Sequence, residues 1–500
     1  IMAPFSWKEM YENTLVQIND GTIPMSRIDD AVTRILRVKI RAGLFERGAP
    51  SKAKFAGQQK QIGSKVHRNI AQQAVRESLV LLKNKNNLLP IAPTLNILVA
   101  GDGADNIGKQ SGGWSISWQG TGNTNVDFPG ATSIYHGIKQ VVETAGGSTS
   151  LSAEGHYQQK PDIAIVVFGE DPYAEMIGDI KNLEFQKMNK IDLNLLKKFK
   201  DDNIPVISVF ITGRPLWVNA ELNASDAFVV AWLPGTEGQG IADVLFKNTE
   251  GGINYDFKGK LSYSWPKTDT QAVLNRNDKN YQPLFPYGYG LTYADKDTLA
   301  DNLNEVAEEI FTPSFNDPLA LFKNRALDGL SVFVGDDNNW VVPVAHSIVT
   351  KQDSDNLILQ SVNWKVQEDA RKITWSGDTI ASSYLAYNTN RDHSEYLATK
   401  TALSFDLRID VAPKGILKAL MTCGEHCEGA INLQQQISEM NVGEWKTISI
   451  DLACFVDAGA KFNHIESPFG LRTDKEAQVS FANVFYLPNR SNKPDIDCSK

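Results

Sequence analysis

AWLPGTEGQGIADVLF, residues 231 to 246, passes from the end of an apolar stretch, through a proline and three glycines, into a segment with helical spacing. Phe228 to Leu233 predict a buried strand, and Ile241, Val244 and Leu245 predict a helix behind the turn. A strand that runs through a tight glycine turn into a helix presents a residue at the carboxyl edge of an α/β sheet. The only ionisable side chain in that turn is Glu237. Gly235, Gly238 and Gly240 leave space for another backbone or a substrate beside it. On these residues alone, a glutamate complementing the positive end of a helix is the plainer reading. The surrounding chain turns the balance towards chemistry.

Working outward, the same kind of strand recurs. ILVAGD (97–102), DIAIVVFGE (162–170), PVISVFITG (205–213) and AFVVAWLPG (227–235) are apolar throughout, with helical spacers such as Ile191 to Phe199 between them. That alternation predicts a mostly parallel sheet covered on both faces. KLSYSWP (260–266) is a candidate edge strand, and PLFPYGYGLTY (283–293) closes the region. Three strands end in polar clusters at one edge: Gly101 to Asp105, Gly169 to Glu175, and Gly235 to Glu237. GDGADNIG lacks the G-x-G-x-x-G spacing, and acidic residues at all three ends repel a pyrophosphate, so no cofactor is expected.

KQSGGWSISWQGTGN (109–123) sets Trp114 and Trp118 four residues apart among glycines, serines and amides. Exposed indoles in such a loop are costly unless something covers them. The apolar C–H face of a pyranose is one candidate, with Gln119 left for hydroxyls; a private core for the loop is the other.

Upstream, Ser26 is a candidate N-cap with Asp29 three residues on. Ile28, Ala31, Val32, Ile35 and Val38 then follow helical spacing up to a stop at Gly43, with no sheet nearby to pack against. IMAP (1–4) reads as a strand ending, so the chain is expected to be the continuation of a longer one. Residues 46–63 form a polar linker. Residues 294–314 read as a linker helix on the spacing of Leu299, Leu303, Val306 and Ile310.

Beyond 315 the period changes to two. Phe405, Leu407, Ile409 and Val411, and then Ile448, Ile450 and Leu452, alternate with polar residues, which predicts an antiparallel β-sandwich. Trp340, Trp364, Trp375 and Trp445 are core residues or a sugar platform, and Asp336 to Asn339 a solvated turn or a calcium loop. All four cysteines fall here. Sequence nearness pairs Cys423 with Cys427 and leaves Cys454 for Cys498, implying an oxidising compartment, secreted or periplasmic. Cys423, His426 and Cys427 lack a second ligand pair with zinc-like spacing, so no metal is expected. A net charge of −9 argues against nucleic acid, and no apolar run reaches the length needed for membrane insertion.

IPMSRIDDAVTRILRVKIRAGLF (23–45), RESLVLLKN (76–84), KQSGGWSISWQG (109–120), VVFGEDPYAE (166–175), AWLPGTEGQG (231–240) and LFPYGYGLTY (284–293), in that order, resemble glycoside hydrolase family 3. The likeness covers roughly residues 1 to 293 and points to its exo-acting β-glucosidases and β-glucan exohydrolases. It implies the tail of a (β/α)8 barrel (1–45), an α/β sandwich carrying the acid/base (64–293) and a C-terminal jelly-roll, galactose-binding-like β-sandwich (315–500). Carried over by motif, Glu237 becomes the acid/base of a retaining mechanism, and Trp118 with Trp114 the aromatic wall on the leaving-group side. The substrates implied are β-glucan oligosaccharides or β-glucosides. No segment carries the family's nucleophile motif, so that aspartate is expected upstream of this chain. The second reading is a non-catalytic carbohydrate-binding assembly; the residues upstream of Ile1 discriminate between the two.

Overall fold

The computed structural model describes residues 6–498, apart from 176, 181, 188–189, 309–314, 324, 328–329, 345–347, 350–355, 366–367, 388–389 and 490–492. The strand ending read at residues 1–4 lies outside them.

Residues 1–68 form one compact unit. It contains α1 (Trp7–Asn19), a helix beyond the one expected here, and α2 (Met25–Arg41). Ser26 is not the cap of α2. Pro24 holds that position in an extended conformation (φ −69°, ψ 143°), and Ser26 already lies in the first turn. Proline has its φ pre-set and no N–H to satisfy, so the helix begins directly after it. Neither helix buries a residue within this unit, and Ile35 and Val38 stay 56% and 67% exposed.

In the second unit, α3 (Lys65–Ser78, which straddles the division) leads into β1 (Val80–Asn84). There follow β2 (Asn96–Ala100), α4 (Ile107–Ser111), α5 (Ile134–Thr144), β3 (Ser148–Ser152) and β4 (Ile163–Gly169). Then come α6 (Ile191–Asp201), β5 (Val206–Ile211), α7 (Asn219–Asn223), β6 (Ala227–Trp232) and α8 (Gln239–Leu245). The strands form one sheet in the order β1-β6-β5-β4-β2-β3, parallel except for β1, which runs antiparallel to β6. Alternate residues serve different layers. Ile165 and Val167 face a core that includes Ile138, Ile241 and Leu245, whereas Val166 and Phe168 face one that includes Leu196, Phe199 and Leu222. Burial on both sides is why these strands are apolar throughout. The edge strand β3 is a strand beyond those expected, because STSLS has no apolar run.

Two local expectations fail. Residues 260–266 form no strand of the sheet; they meet Phe285 through a single bridge at Trp265. Residues 294–308 form no helix, and the rest of that expected linker helix, with Ile310, lies outside the described residues. Leu299 and Leu303 pack on the layer of α6 and α7, but their backbone is held from outside. Asn223 Nδ2 donates to Leu303 O (2.9 Å), Leu303 N to Asn223 Oδ1 (3.0 Å), and Asn219 Nδ2 to Asn304 O (2.8 Å). Apolar spacing of four suits an irregular strap equally well once side chains supply the backbone's partners.

Residues 319–487 form two antiparallel sheets. Ala477–Leu487 is central to one, between Ala370–Trp375 and Ala402–Val411; Ala381–Tyr387 and Ser467–Thr473 are central to the other. Phe405, Phe469 and Phe481 meet between them at centroid distances of 5.1 and 5.3 Å. Trp375 belongs to that core, Trp364 and Trp445 pair at 5.3 Å, and Trp340 is 38% exposed.

Candidate active site

Because β2, β4, β5 and β6 are parallel, their following loops gather at one edge. After β6 the chain turns tightly, and Thr132 docks against it: Thr132 N donates to Thr236 O and Gly238 N to Thr132 O, both at 2.9 Å. A side chain at position 238 would put its Cβ 2.5 Å from the Ser133 carbonyl carbon, so only glycine permits this approach. The close neighbour that Gly238 admits is backbone. Glu237, between Thr236 and Gly238, is 6% exposed and accepts from Thr236 Oγ1 at 3.0 Å. Ile241, Val244 and Leu245 of α8 are wholly buried, as their spacing predicts.

The tryptophan loop follows α4. Gly113 lets it lie on the backbone of Tyr173 and Ala174, where any Cβ would fall 2.0 Å from Tyr173 O. Trp114 and Ile116 both adopt left-handed backbone (φ 60° and 64°), a strained choice for a β-branched residue. Trp114 is 70% exposed and Trp118 half-buried; their rings sit edge-to-face, 6.4 Å apart. Neither indole lies in a private core. Gln119 does not remain for sugar hydroxyls. It is buried, accepting from Ala174 N (2.8 Å) and donating to Glu175 O (3.1 Å), which ties the two loops together. Glu175 Oε2 accepts from the Trp118 and Trp114 indole N–H groups at 2.6 and 3.2 Å. Its own backbone N–H, and then the Trp118 indole, hold its carboxyl below the ordinary glutamate range.

Gln110 joins the two features. It is fully buried at the end of α4; its carbonyl accepts from Gly235 N, and its Nε2 donates to Gly235 O, both at 2.9 Å. Its Oε1 accepts from Ile134 N at 3.0 Å. The glutamate turn and the start of the tryptophan loop are thus fixed to each other by a side chain that the sequence did not single out. Gln110→Leu leaves the Gly235 carbonyl and the Ile134 N–H without these partners, with an expected stability loss of roughly 1–2 kcal/mol. An unchanged midpoint in urea denaturation would reject the brace.

Two ion-pair groups back the same edge. Buried Lys109 reaches Asp102 (2.6 Å) and Asp171 (3.1 Å), linking the loops after β2 and β4. Burial alone would lower its pKa, but Asp171 and Asp102 outweigh that and raise it. After β4 and β5, Arg214 pairs with Glu170 at 2.7 Å and stacks on Tyr173.

Deeper, burial pushes Asp192 and Glu221 up to about 7. Folding therefore favours their protonated forms. Their contribution is full below the ordinary carboxylate range and is lost as pH rises through about 7. Glu221→Gln should flatten part of the decline in Tm between about pH 4 and pH 7. Calorimetric profiles that superimpose on the parent's would exclude this.

Cys423–Cys427 and Cys454–Cys498 are both bridged, as the spacing predicts. Asp336 accepts from the N–H groups of Asn338 and Asn339, so its turn is internally bonded. Among the described residues no cluster of three metal-ligating side chains occurs, and no helix is long and apolar enough to cross a membrane. A groove of about 630 Å³ opens beside Thr132, lined in part by Val126, Pro129 and His136, but neither Glu237 nor the two indoles line it.

Residues 79–293 match the Glycosyl hydrolase family 3 C-terminal domain, and residues 331–486 a galactose-binding domain-like family. The chain carries the C-terminal domain of glycoside hydrolase family 3. A lysosomal beta glucosidase of Dictyostelium discoideum is 34% identical over 298 residues, covering 55% of this chain and 35% of that protein. A periplasmic beta-glucosidase of Salmonella typhimurium is 25% identical over 325 residues, covering 55% and 41%. The crystal structure of an exo-1,3/1,4-beta-glucanase from a Pseudoalteromonas species superposes with a TM-score of 0.58 at 43% identity, covering 98% of this chain and 60% of that one. The chain thus spans less than two thirds of the length of each of these relatives.

Proposed function

We propose that this chain is the acid/base-bearing part of a retaining, exo-acting β-glucosidase or exo-1,3/1,4-β-glucanase that removes glucose from non-reducing ends. Glu237 protonates the departing glycosidic oxygen and then deprotonates the attacking water. Trp118, with Trp114, forms the wall on the leaving-group side. The attacking aspartate belongs to the barrel of the longer polypeptide, and the substrates are β-glucan oligosaccharides or β-glucosides. The two disulfides accord with a secreted or periplasmic setting.

One observation carries this reading. The sole carboxylate of the turn after β6 is presented at the same sheet edge as a strained loop bearing two accessible indoles, and Gln110 braces one to the other. A carboxyl beside an aromatic wall is what leaving-group protonation next to a bound sugar requires. The helix-terminus reading accounts for Glu237 and leaves the indole loop without a purpose.

The test is the first sugar released from 4-nitrophenyl β-glucoside by the polypeptide joined to its barrel, followed by proton NMR. β-Glucose before mutarotation is the expected result. α-Glucose would overturn retention, and sugar binding without turnover would favour the carbohydrate-binding assembly.

A further inference from the structure

The VVFGEDPYAE segment contributes a carboxylate that the proposed function does not use. Glu175 lies on the loop after β4, over fifty residues from the indoles, and one of its oxygens accepts from both. The Trp114 N to Trp118 O bond (2.8 Å) sets only the backbone of the tryptophan loop, whereas the Glu175 carboxylate reaches the rings themselves. A six-membered sugar stacks well on an indole only when the ring plane is held before it arrives, because ordering an exposed side chain on binding subtracts from affinity. Gln119, bonded to Ala174 N and Glu175 O, holds the carboxylate's own backbone at the correct height.

We infer that Glu175 is a positioning residue of the leaving-group subsite: its carboxylate bridges the Trp118 and Trp114 indole N–H groups and locks both rings for stacking on the departing sugar. This deepens the proposed role of Trp118 and rests on it. It also assigns the loop after β4 a part in selecting substrates with a sugar, not a small aglycone, at that position.

The experiment compares Glu175→Ala, Glu175→Gln and Trp118→Ala, with the Glu175→Ala/Trp118→Ala pair, in the enzyme carrying its barrel. Ultraviolet resonance Raman difference spectra report the indole N–H hydrogen bond directly. Glu175→Ala should shift that band towards the unbonded position, and Glu175→Gln, which keeps an acceptor oxygen, only partly. For cellobiose and laminaribiose, Glu175→Ala should raise KM about tenfold with kcat changed less than about threefold, and Glu175→Gln should recover part of the loss. The double variant should be within about twofold of Trp118→Ala alone, since one residue acts through the other. An unmoved Raman band, or losses that multiply in the double variant, would overturn the inference. Failure of the underlying reading looks different: Trp118→Ala would then weaken disaccharides and aryl glucosides alike while the Raman shift persisted.

Discussion

Glu237→Ala, in the enzyme carrying its barrel, is expected to lose about 10²- to 10⁴-fold in rate on cellobiose, the usual contribution of a positioned general acid. The loss follows from the leaving group. A sugar alkoxide cannot depart from a glycosidic carbon at neutral pH unless it receives a proton. A dinitrophenyl glucoside needs none, so the variant should still form the glycosyl-enzyme and release a burst of dinitrophenol. It should then stall, because water attack on that intermediate needs the same carboxylate as a base. Azide attacks without a base and should relieve the stall, giving β-glucosyl azide, since two inversions amount to retention. The competing account of Glu237 as a partner for the α8 N-terminus predicts a stability loss of about 0.3–1 kcal/mol, equal losses on all substrates and no response to azide. Uniform losses without rescue would remove Glu237 from the mechanism. Because the side chain is buried against the turn and bonded to Thr236, Glu237→Gln should accompany the alanine variant, to separate lost protonation from lost packing.

Trp118→Ala should weaken binding of the leaving-group sugar by roughly 1–3 kcal/mol, about 5- to 150-fold, the scale of one aromatic contact. Trp118 is half-buried, bonded to Glu175 and set against Trp114, whereas Trp114 is mostly exposed. The larger effect is therefore expected at 118. Oligosaccharides, which place a sugar on the wall, should suffer more than small aryl glucosides. The ratio of kcat/KM for laminaribiose over 4-nitrophenyl glucoside measures this. A ratio unchanged from the parent would make Trp118 a structural residue of its loop.

Much of the molecule is encoded in patterns that need no partner. A strand apolar at every position must be covered on both faces, so ILVA, IAIVVF and AFVVAW specify an inner parallel sheet wherever they fall. Period two in Phe405, Leu407 and Ile409 specifies one buried face in the same way. The glycines around Glu237 fix a tight turn, because no other residue tolerates the backbone packed against position 238. Nearness in sequence singles out the Cys423–Cys427 bridge, whereas Cys454–Cys498 follows only by elimination, since four cysteines do not by themselves fix their connectivity.

What the pattern could not disclose is which distant group uses each hydrogen-bonding atom. Gln119 looked available for a ligand and is consumed by Ala174 and Glu175, more than fifty residues away. Glu175 looked like one acid in a polar loop and holds two indoles; Gln110 looked unremarkable and joins the two halves of the site. Residues 294–308 have helical spacing and form an irregular strap, in which Asn219 and Asn223, brought there by the sheet order, bond the backbone of Leu303 and Asn304. Hydrophobic periodicity reports how much of a residue is buried, and burial is a property of its own element. A hydrogen-bond partner is a property of two elements, and only the order β1-β6-β5-β4-β2-β3, with the loops it gathers at one edge, decides which two meet.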